Sequence, residues 1–310
     1  MWFWNKKHTI AASGILQGAV DHHSHILPGV DDGVETMDEA LRILAAYEDL
    51  GIKELWITPH IMEDIPNTPQ KLKARFEELK AAYKGNIKLH LAAEYMIDNH
   101  LRKLLNTREG DKTNNLRHSQ CEGRWQEQSE VTEGSKAPNG EGDKTSESQG
   151  KILLINNCPS CVRGASNAVA EGAPPLLPIG NAGKHILVET SYYNAPMRMN
   201  DTLQQIKSLG YFPLLAHPER YMHLNNADYT RLHSQGVRFQ LNLASLAGGY
   251  GKAVKKKAEW LLSNGLYSVV GSDLHCEDAI EYITNCKLSK QAVEQIEKLL
   301  HNSIQNNIGY

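Results

Sequence analysis

The sequence predicts one α/β fold, a TIM-like barrel of seven βα units carrying a polar insertion. Three observations lead there. Short apolar runs alternate with stretches of helical periodicity, glycines close the helical stretches, and His, Asp and Glu recur just after the apolar runs. A parallel sheet built from such units collects the ends of all its strands at one rim, which is where barrel chemistry is built.

The units follow in order. Ala19 to Asp21 reads as the first strand, and Met37 to Leu50 as a helix closed by Gly51. Glu54 to Thr58 and Lys88 to Ala92 are strands two and three, with Leu72 to Tyr83 a helix between them and a short helix near Ile97 to Leu105 after them. Beyond the insertion come strand His185 to Val188 with helix Asp201 to Leu209, strand Phe212 to Leu215 with helix Ala227 to Gln235, and strand Arg238 to Leu243 with helix Lys252 to Asn264. Gly210, Gly236 and Gly265 stop those three helices, and Tyr267 to Val270 is the last strand. Residues 107–175 break the pattern: they are rich in Gly, Ser, Glu, Lys and Asn and repeat Glu-Gly-Asp-Lys-Thr at 109–113 and 141–145. Such a composition buries too little apolar area to offset chain entropy, so it is expected to be a poorly ordered insertion, with a docking or regulatory module as the alternative. Residues 1–106 and 176–310 then form a single barrel domain.

The strand ends carry the chemistry. Strand one ends in Asp21-His22-His23-Ser24-His25 and leads to Asp31-Asp32-Gly33; strand two ends in Thr58-Pro59-His60, strand three in Ala93-Glu94 and strand four in Val188-Glu189-Thr190. Strand five ends in Ala216-His217-Pro218-Glu219-Arg220 and strand seven in Gly271-Ser272-Asp273-Leu274-His275. Alternate residues of an extended segment share a face, so His23 and His25 point one way while His22 points the other. Imidazoles and carboxylates without a thiolate set suit a catalytic centre of Mn, Fe or Zn rather than a structural zinc. Each pair taken alone is equally compatible with a satisfied structural contact; convergence at one rim is what favours several metals. The other nine of the 14 histidines are expected at the surface.

Composition removes other classes. With 41% hydrophobic and 22% charged residues, the chain is neither disordered throughout nor a multi-span membrane protein. A net charge of -3 provides no general field for nucleic acid or anionic lipid, so an anionic substrate must be captured locally. Met1-Trp2-Phe3-Trp4-Asn5-Lys6-Lys7 puts its apolar residues before its charges, the reverse of a signal peptide, and no run reaches the roughly 18 apolar residues of a membrane span. A cytoplasmic protein is expected, with Trp2 and Trp4 as packing anchors. Five cysteines make no disulfide scaffold, and Cys158-Pro-Ser-Cys161 lacks the second ligand pair of a zinc site. Neither Gly-x-Gly-x-x-Gly nor a Walker A motif occurs.

On these motifs the chain resembles the PHP (polymerase and histidinol phosphatase) superfamily, and within it the bacterial manganese-dependent protein-tyrosine phosphatases of the capsule-regulating CpsB and YwqE type. The residues that carry the resemblance are Asp21 to Gly33 (DHHSHILPGVDDG), Thr58 to His60, Ala93-Glu94, Val188 to Ser191, Ala216 to Tyr221 (AHPERY) and Ser272 to His275. The resemblance implies a PHP-type distorted (β/α)7 barrel. It implies three Mn2+ ions, with Fe or Zn as alternatives: one held by His23, His25, Glu94 and Asp273, a second by Glu94, Glu189 and His217, a third by Asp32, His60 and His275. Arg220 matches the family's phosphate-binding arginine, and His60 and His217 are ligands with a secondary role in proton transfer. Hydrolysis of phosphotyrosine by a metal-bridging hydroxide follows, on a protein substrate such as a bacterial tyrosine kinase of an exopolysaccharide system. Two departures stand out: His22 replaces a usually apolar residue, and Cys276-Glu277-Asp278 stands where relatives place a further arginine. Alternatives are a phosphatase for a small monoester such as histidinol phosphate, and a non-catalytic binding module.

The insertion leaves after the third helix and returns before the fourth strand, on the side of the barrel away from the strand ends. Deleting 107–175 is therefore expected to preserve phosphatase activity, measured on an aryl phosphate; a variant that folds and holds metal but turns nothing over would refute this placement.

Overall fold

Pairing follows the alternation of apolar runs. The computed structural model describes residues 8–108, 175–180 and 183–301. Trp2, Trp4, His118, Cys158, Cys161 and nearly all of the 107–175 segment lie outside the described residues. In chain order the elements are β1 (His8–Thr9), α1 (Ile10–Ser13), β2 (Val20–Asp21), α2 (Met37–Asp49), β3 (Glu54–Ile57), β4 (His60–Ile61), α3 (Pro69–Ala82), β5 (Lys88–Leu91), β6 (Glu94–Met96) and a helix α4 over 99–108. Then come β7 (His185–Glu189), α5 (Met199–Ser208), β8 (Phe212–Ala216), a 3-10 turn (Pro218–Arg220), α6 (Asn226–Ser234), β9 (Arg238–Asn242), α7 (Leu243–Ala247), α8 (Lys252–Ser263), β10 (Val269–Gly271), α9 (Asp278–Thr284), β11 (Lys287–Leu288) and α10 (Lys290–His301).

The result is a mixed α/β fold on parallel sheets. One sheet runs β2-β3-β5 and a larger one β10-β9-β8-β7-β6-β4, every pairing in both being parallel. Each strand run named from the sequence contains a strand, but two runs prove to be the first halves of longer paths. Thr58-Pro59 interrupts pairing because proline has no N–H to give, and the chain then resumes in the larger sheet at β4, where His60 stands opposite Glu94. At the other end, β10 returns to the first segment: the His22 N–H donates to the Val270 carbonyl (3.1 Å), Asp273 to His23 (2.9 Å) and His25 to Leu274 (2.9 Å).

Helix ends carry the expected local chemistry. Thr36 caps α2 by accepting the Glu39 N–H, and Thr68 caps α3 ahead of Pro69 at its first position. Asn225 and Asp228 form a reciprocal capping box on α6. Along α2 the buried residues are Ala40, Ile43, Leu44 and Tyr47, the spacing of one helical face. Each large one contributes about 1.5–3 kcal/mol of burial.

Strand parity divides the interior into two environments. Ile186, Val188, Leu215, Phe239, Leu241 and Val270 point outward into the main core beneath the helices. Trp56, Ala92, Leu187, Leu214, Ala216 and Val269 form a smaller apolar cluster on the opposite face. The same inward face continues to Glu189, Gln240 and Asn242 at the strand ends, all buried. The apolar cluster is thus a floor beneath a polar rim.

The expectation that the remaining histidines lie at the surface needs correction. His22 and His185 are buried at 2% and 6% exposure, and His90 is half-buried, stacked 4.3 Å from the Trp56 ring. His22 does point away from the ligand face, but its Nδ1 lies 3.2 Å from the Val270 carbonyl rather than in water. Period-2 parity assigns a face to a strand residue; it does not reveal that both faces of a parallel sheet are covered. Burial, and then the nearby Arg238 charge, pushes His185 down from 6.5 to about 4.

The sign of the consequence follows. Below pH 6.5 the unfolded chain takes up a proton that folded His185 refuses until about pH 4, so stability falls as pH drops through that window, by on the order of 3 kcal/mol. His185→Phe, which keeps a ring beside Phe212, is expected to flatten that part of the pH dependence in denaturant titrations at pH 7 and 4.5. Identical slopes for variant and wild type would refute it.

Candidate metal centre

Six strand ends deliver nine side chains to one place. His23 and His25 follow β2, Asp32 stands in the loop after it, His60 opens β4 and Glu94 opens β6. Glu189 ends β7, His217 follows β8, and Asp273 and His275 follow β10. Seven of these are buried; Asp32 and His275, with side chains 64% and 32% exposed, stand at the mouth.

The distances link them into one cluster. Glu94 is its centre: its Oε2 lies 3.1 Å from His23 Nε2, 3.4 Å from His25 Nε2 and 3.3 Å from His60 Nδ1, and its Oε1 lies 3.2 Å from His217 Nε2. Asp273 Oδ1 lies 3.4 Å from His23 Nε2 and 3.5 Å from His25 Nε2. His60 faces two ways, with Nδ1 3.1 Å from Glu189 and Nε2 3.3 Å from Asp32; His275 Nε2 lies 3.6 Å from Asp32.

Three groups have ligand atoms mutually within 4.8 Å: His23, Glu94, His217 and Asp273; His60, Glu94 and Glu189; His25, Asp32, His60 and His275. Every ligand position named from the sequence falls in at least one of them. The grouping by distance differs from the one implied by resemblance at three residues: His217 sides with His23, His25 with the mouth group, and His60 stands with Glu94 and Glu189 as well as with the mouth group. His25 borders both groups, its Nε2 also lying 3.0 Å from His23 Nε2.

The residues fit cations. Glu94 Oε1, Glu189 Oε1 and His60 Nδ1 are buried without a hydrogen bond although nitrogen and oxygen stand 3.1–3.3 Å apart. Lone pairs aimed at a common point, rather than along N–H bonds, give that combination. The partners of the outer nitrogens agree. Gln240 Oε1 accepts from the His217 backbone N–H (3.2 Å) while its Nε2 donates to the Leu241 carbonyl, so the oxygen faces His23 Nδ1 at 2.9 Å. His23 therefore carries its proton on Nδ1 and turns an Nε2 lone pair inward. Asp31 does the same for His25, 2.9 Å from its Nδ1, and the Asp273 carbonyl for His275 at 2.9 Å.

Charge balance makes the same demand. Burial alone would lower His23, yet the Glu94 and Asp273 charges outweigh it and push it up to about 9; His60, likewise buried, is pushed up to about 12 by Asp32 and Glu189. Such a field favours positive charge, and a metal ion taken up here would displace protons.

The scaffold around the ligands is close-fitting. The backbone is left-handed at His217 (φ 32°) and Asp273 (φ 55°), which costs about 1–3 kcal/mol at each non-glycine and turns both side chains inward from strand ends. A Cβ on Gly33 would come within 2.0 Å of the His25 carbonyl oxygen, so the loop bearing Asp31 and Asp32 needs glycine there to close over His25. Arg220 lies beside the cluster, its Nη1 donating to Asp273 Oδ2 at 2.7 Å, and Asn242 Nδ2 donates to the same oxygen at 2.8 Å. Gln240 and Asn242 come from β9, whose end, alone among the seven strands read from the sequence, offers neither acid nor histidine; reading for ligands alone passed over these orienting amides. Asp31 was missed as an orienting residue although adjacent to Asp32.

Comparison with known proteins identifies the lineage. The sequence profile of the family described as "Capsular polysaccharide synthesis, CpsB/CapC" matches residues 19–128 and 176–308. The chain belongs to the CpsB/CapC family. Among its relatives, CapC of Staphylococcus aureus is 22% identical over 293 residues, covering 91% of this chain and 89% of CapC. The tyrosine-protein phosphatase YwqE of Bacillus subtilis is 22% identical over 260 residues, covering 83% of this chain and 77% of YwqE. A solved structure from work on YwqE and Streptococcus pneumoniae CpsB, described as unique metal-dependent tyrosine phosphatases, superposes with a TM-score of 0.58 at 20% identity. It covers 92% of this chain and 89% of that one, and shows that this CpsB/CapC member shares their fold.

Asp31 also accepts the backbone N–H groups of His60 (3.0 Å) and Gly33 (3.1 Å), so it orients two ligands and their loop at once. Asp31→Ala is expected to weaken metal binding about 10- to 100-fold in chelator competition, with the fold retained. Unchanged affinity would show that Asp31 does not orient the site.

Proposed function

We propose that this chain is a metal-dependent protein-tyrosine phosphatase. The observation that carries the reading is the convergence of five imidazoles and four carboxylates at one rim with Arg220 beside them. Membership of a family whose named relatives are tyrosine-protein phosphatases supports it. His23, His25, Asp32, His60, Glu94, Glu189, His217, Asp273 and His275 would hold the metals, read as three Mn2+ ions. When bound, such ions supply Lewis acidity and lower the pKa of coordinated water toward neutrality.

The chain's own groups do the rest. Arg220 offers N–H donors beside Asp273 for the phosphoryl oxygens of an anionic ester, a charge-assisted contact that the overall charge of -3 makes necessary. Gln240 and Asp31 face the outer Nδ1 of His23 and His25, which leaves each Nε2 as the atom that would meet a metal. His60 and His217 are ligands first; either can also carry a proton as charge develops on the leaving phenolate, which, with a parent pKa near 10, needs little assistance.

The fold is read as a distorted (β/α)7 barrel, supported by the backbone bonds joining β10 to residues 22–25, with 107–175 as an insertion into one barrel domain. The substrate is read as a phosphotyrosine protein, specifically a bacterial tyrosine kinase of a capsule or exopolysaccharide system, acted on in the cytoplasm. Among the described residues no helix is long and apolar enough to cross a membrane.

Elemental analysis of the purified protein beside a phosphotyrosine-peptide assay tests the reading. Activity is expected to vanish on chelation, to return with Mn2+, and to be abolished in His25→Ala. Wild-type turnover by His25→Ala, or preference for histidinol phosphate over the peptide, would overturn it.

A further inference from the structure

Arg220 is held in a manner that its pairing with Asp273 does not explain. Its guanidinium carbon lies 4.0 Å from the Tyr250 ring centroid and 4.3 Å from that of Tyr192. Tyr192 lies in the connection from β7 to α5, Arg220 in the 3-10 turn after β8, and Tyr250 in the turn between α7 and α8. The first two segments are tied by the Met222 N–H donating to the Tyr192 carbonyl (2.7 Å), and Tyr250 is held to the end of β9, its hydroxyl 3.3 Å from Asn242 Nδ2.

The chemistry of a guanidinium next to a ligand carboxylate gives the arrangement its purpose. An arginine free to rotate would turn its fork onto Asp273 in a bidentate pair, which would occupy its donors and compete for a carboxylate that the metals need. Here only Nη1 reaches Asp273. Aromatic rings attract the cation without taking any of its N–H donors, and among the described residues Arg220 spends a donor only on Asp273. We propose that Tyr192 and Tyr250 are positioning residues for Arg220: they fix the plane of the guanidinium so that its edge faces a phosphoryl group rather than folding onto Asp273. This inference rests on the reading of Arg220 as the phosphoryl-binding arginine.

The test uses the metal-loaded full chain, phenyl phosphate as substrate and inorganic phosphate as inhibitor. Tyr250 is 38% exposed, so its replacement is compatible with folding. Tyr250→Leu is expected to raise the KM for phenyl phosphate and the Ki for inorganic phosphate roughly fivefold to thirtyfold, with metal content and melting temperature unchanged. Tyr250→Phe, which keeps the ring and loses only the hydroxyl, should restore both constants to within about twofold. Tyr192→Leu is the second variant, with the same expected shift. In an Arg220→Ala background the Tyr250→Leu effect should disappear. A phosphate Ki unmoved by both leucine variants, or an undiminished effect without Arg220, would overturn the positioning role. Wild-type kinetics of Arg220→Ala alone would instead remove the reading on which it rests.

Discussion

Glu94, Glu189 and Asp273 are three carboxylates buried at one end of a parallel sheet, and the rest of the structure answers to their charge. Removing an ionised carboxylate from water is costly unless something positive stands beside it. Five imidazoles surround them, and the field is strong enough to push His23 up to about 9 and His60 to about 12 against burial that would lower both. Protons can meet that demand, but divalent cations meet it with unpaired donor atoms already pointing inward. The buried unbonded oxygens of Glu94 and Glu189 fit this account without a separate explanation.

Holding such a cluster requires a rigid platform. Parallel strands supply it, because side-chain parity sends one set of residues to the helices and the other to an apolar floor capped by polar strand ends. The left-handed backbone at His217 and Asp273 is the local cost, and the sheet overdetermines it. Asp31, Gln240 and the Asp273 carbonyl face the outer nitrogens of three of the clustered histidines and set their orientation. Tyr192 and Tyr250 flank Arg220 at the rim in the same way, holding a charged group by contacts that use none of its N–H donors.

The sequence by itself determined the order of βα units and the identity of all nine clustered side chains. Both depend on short-range regularities: period-2 alternation in strands, helical spacing closed by glycine, and polar residues just past the strand ends. It did not reveal that Glu54 to Thr58 and Lys88 to Ala92 continue into second strands, since Pro59 halts pairing locally and only the neighbouring sheet resumes it. Nor did it place His22 and His185 in the interior, because coverage of both sheet faces is a property of the packed whole. The position of His25 between His23 and the mouth group, the double-facing His60, the orienting amides of β9 and the two tyrosine rings beside Arg220 were decided by tertiary structure alone. Each joins residues far apart in the chain, and distances between such residues are set by how sheets pair and loops meet, which no local pattern encodes.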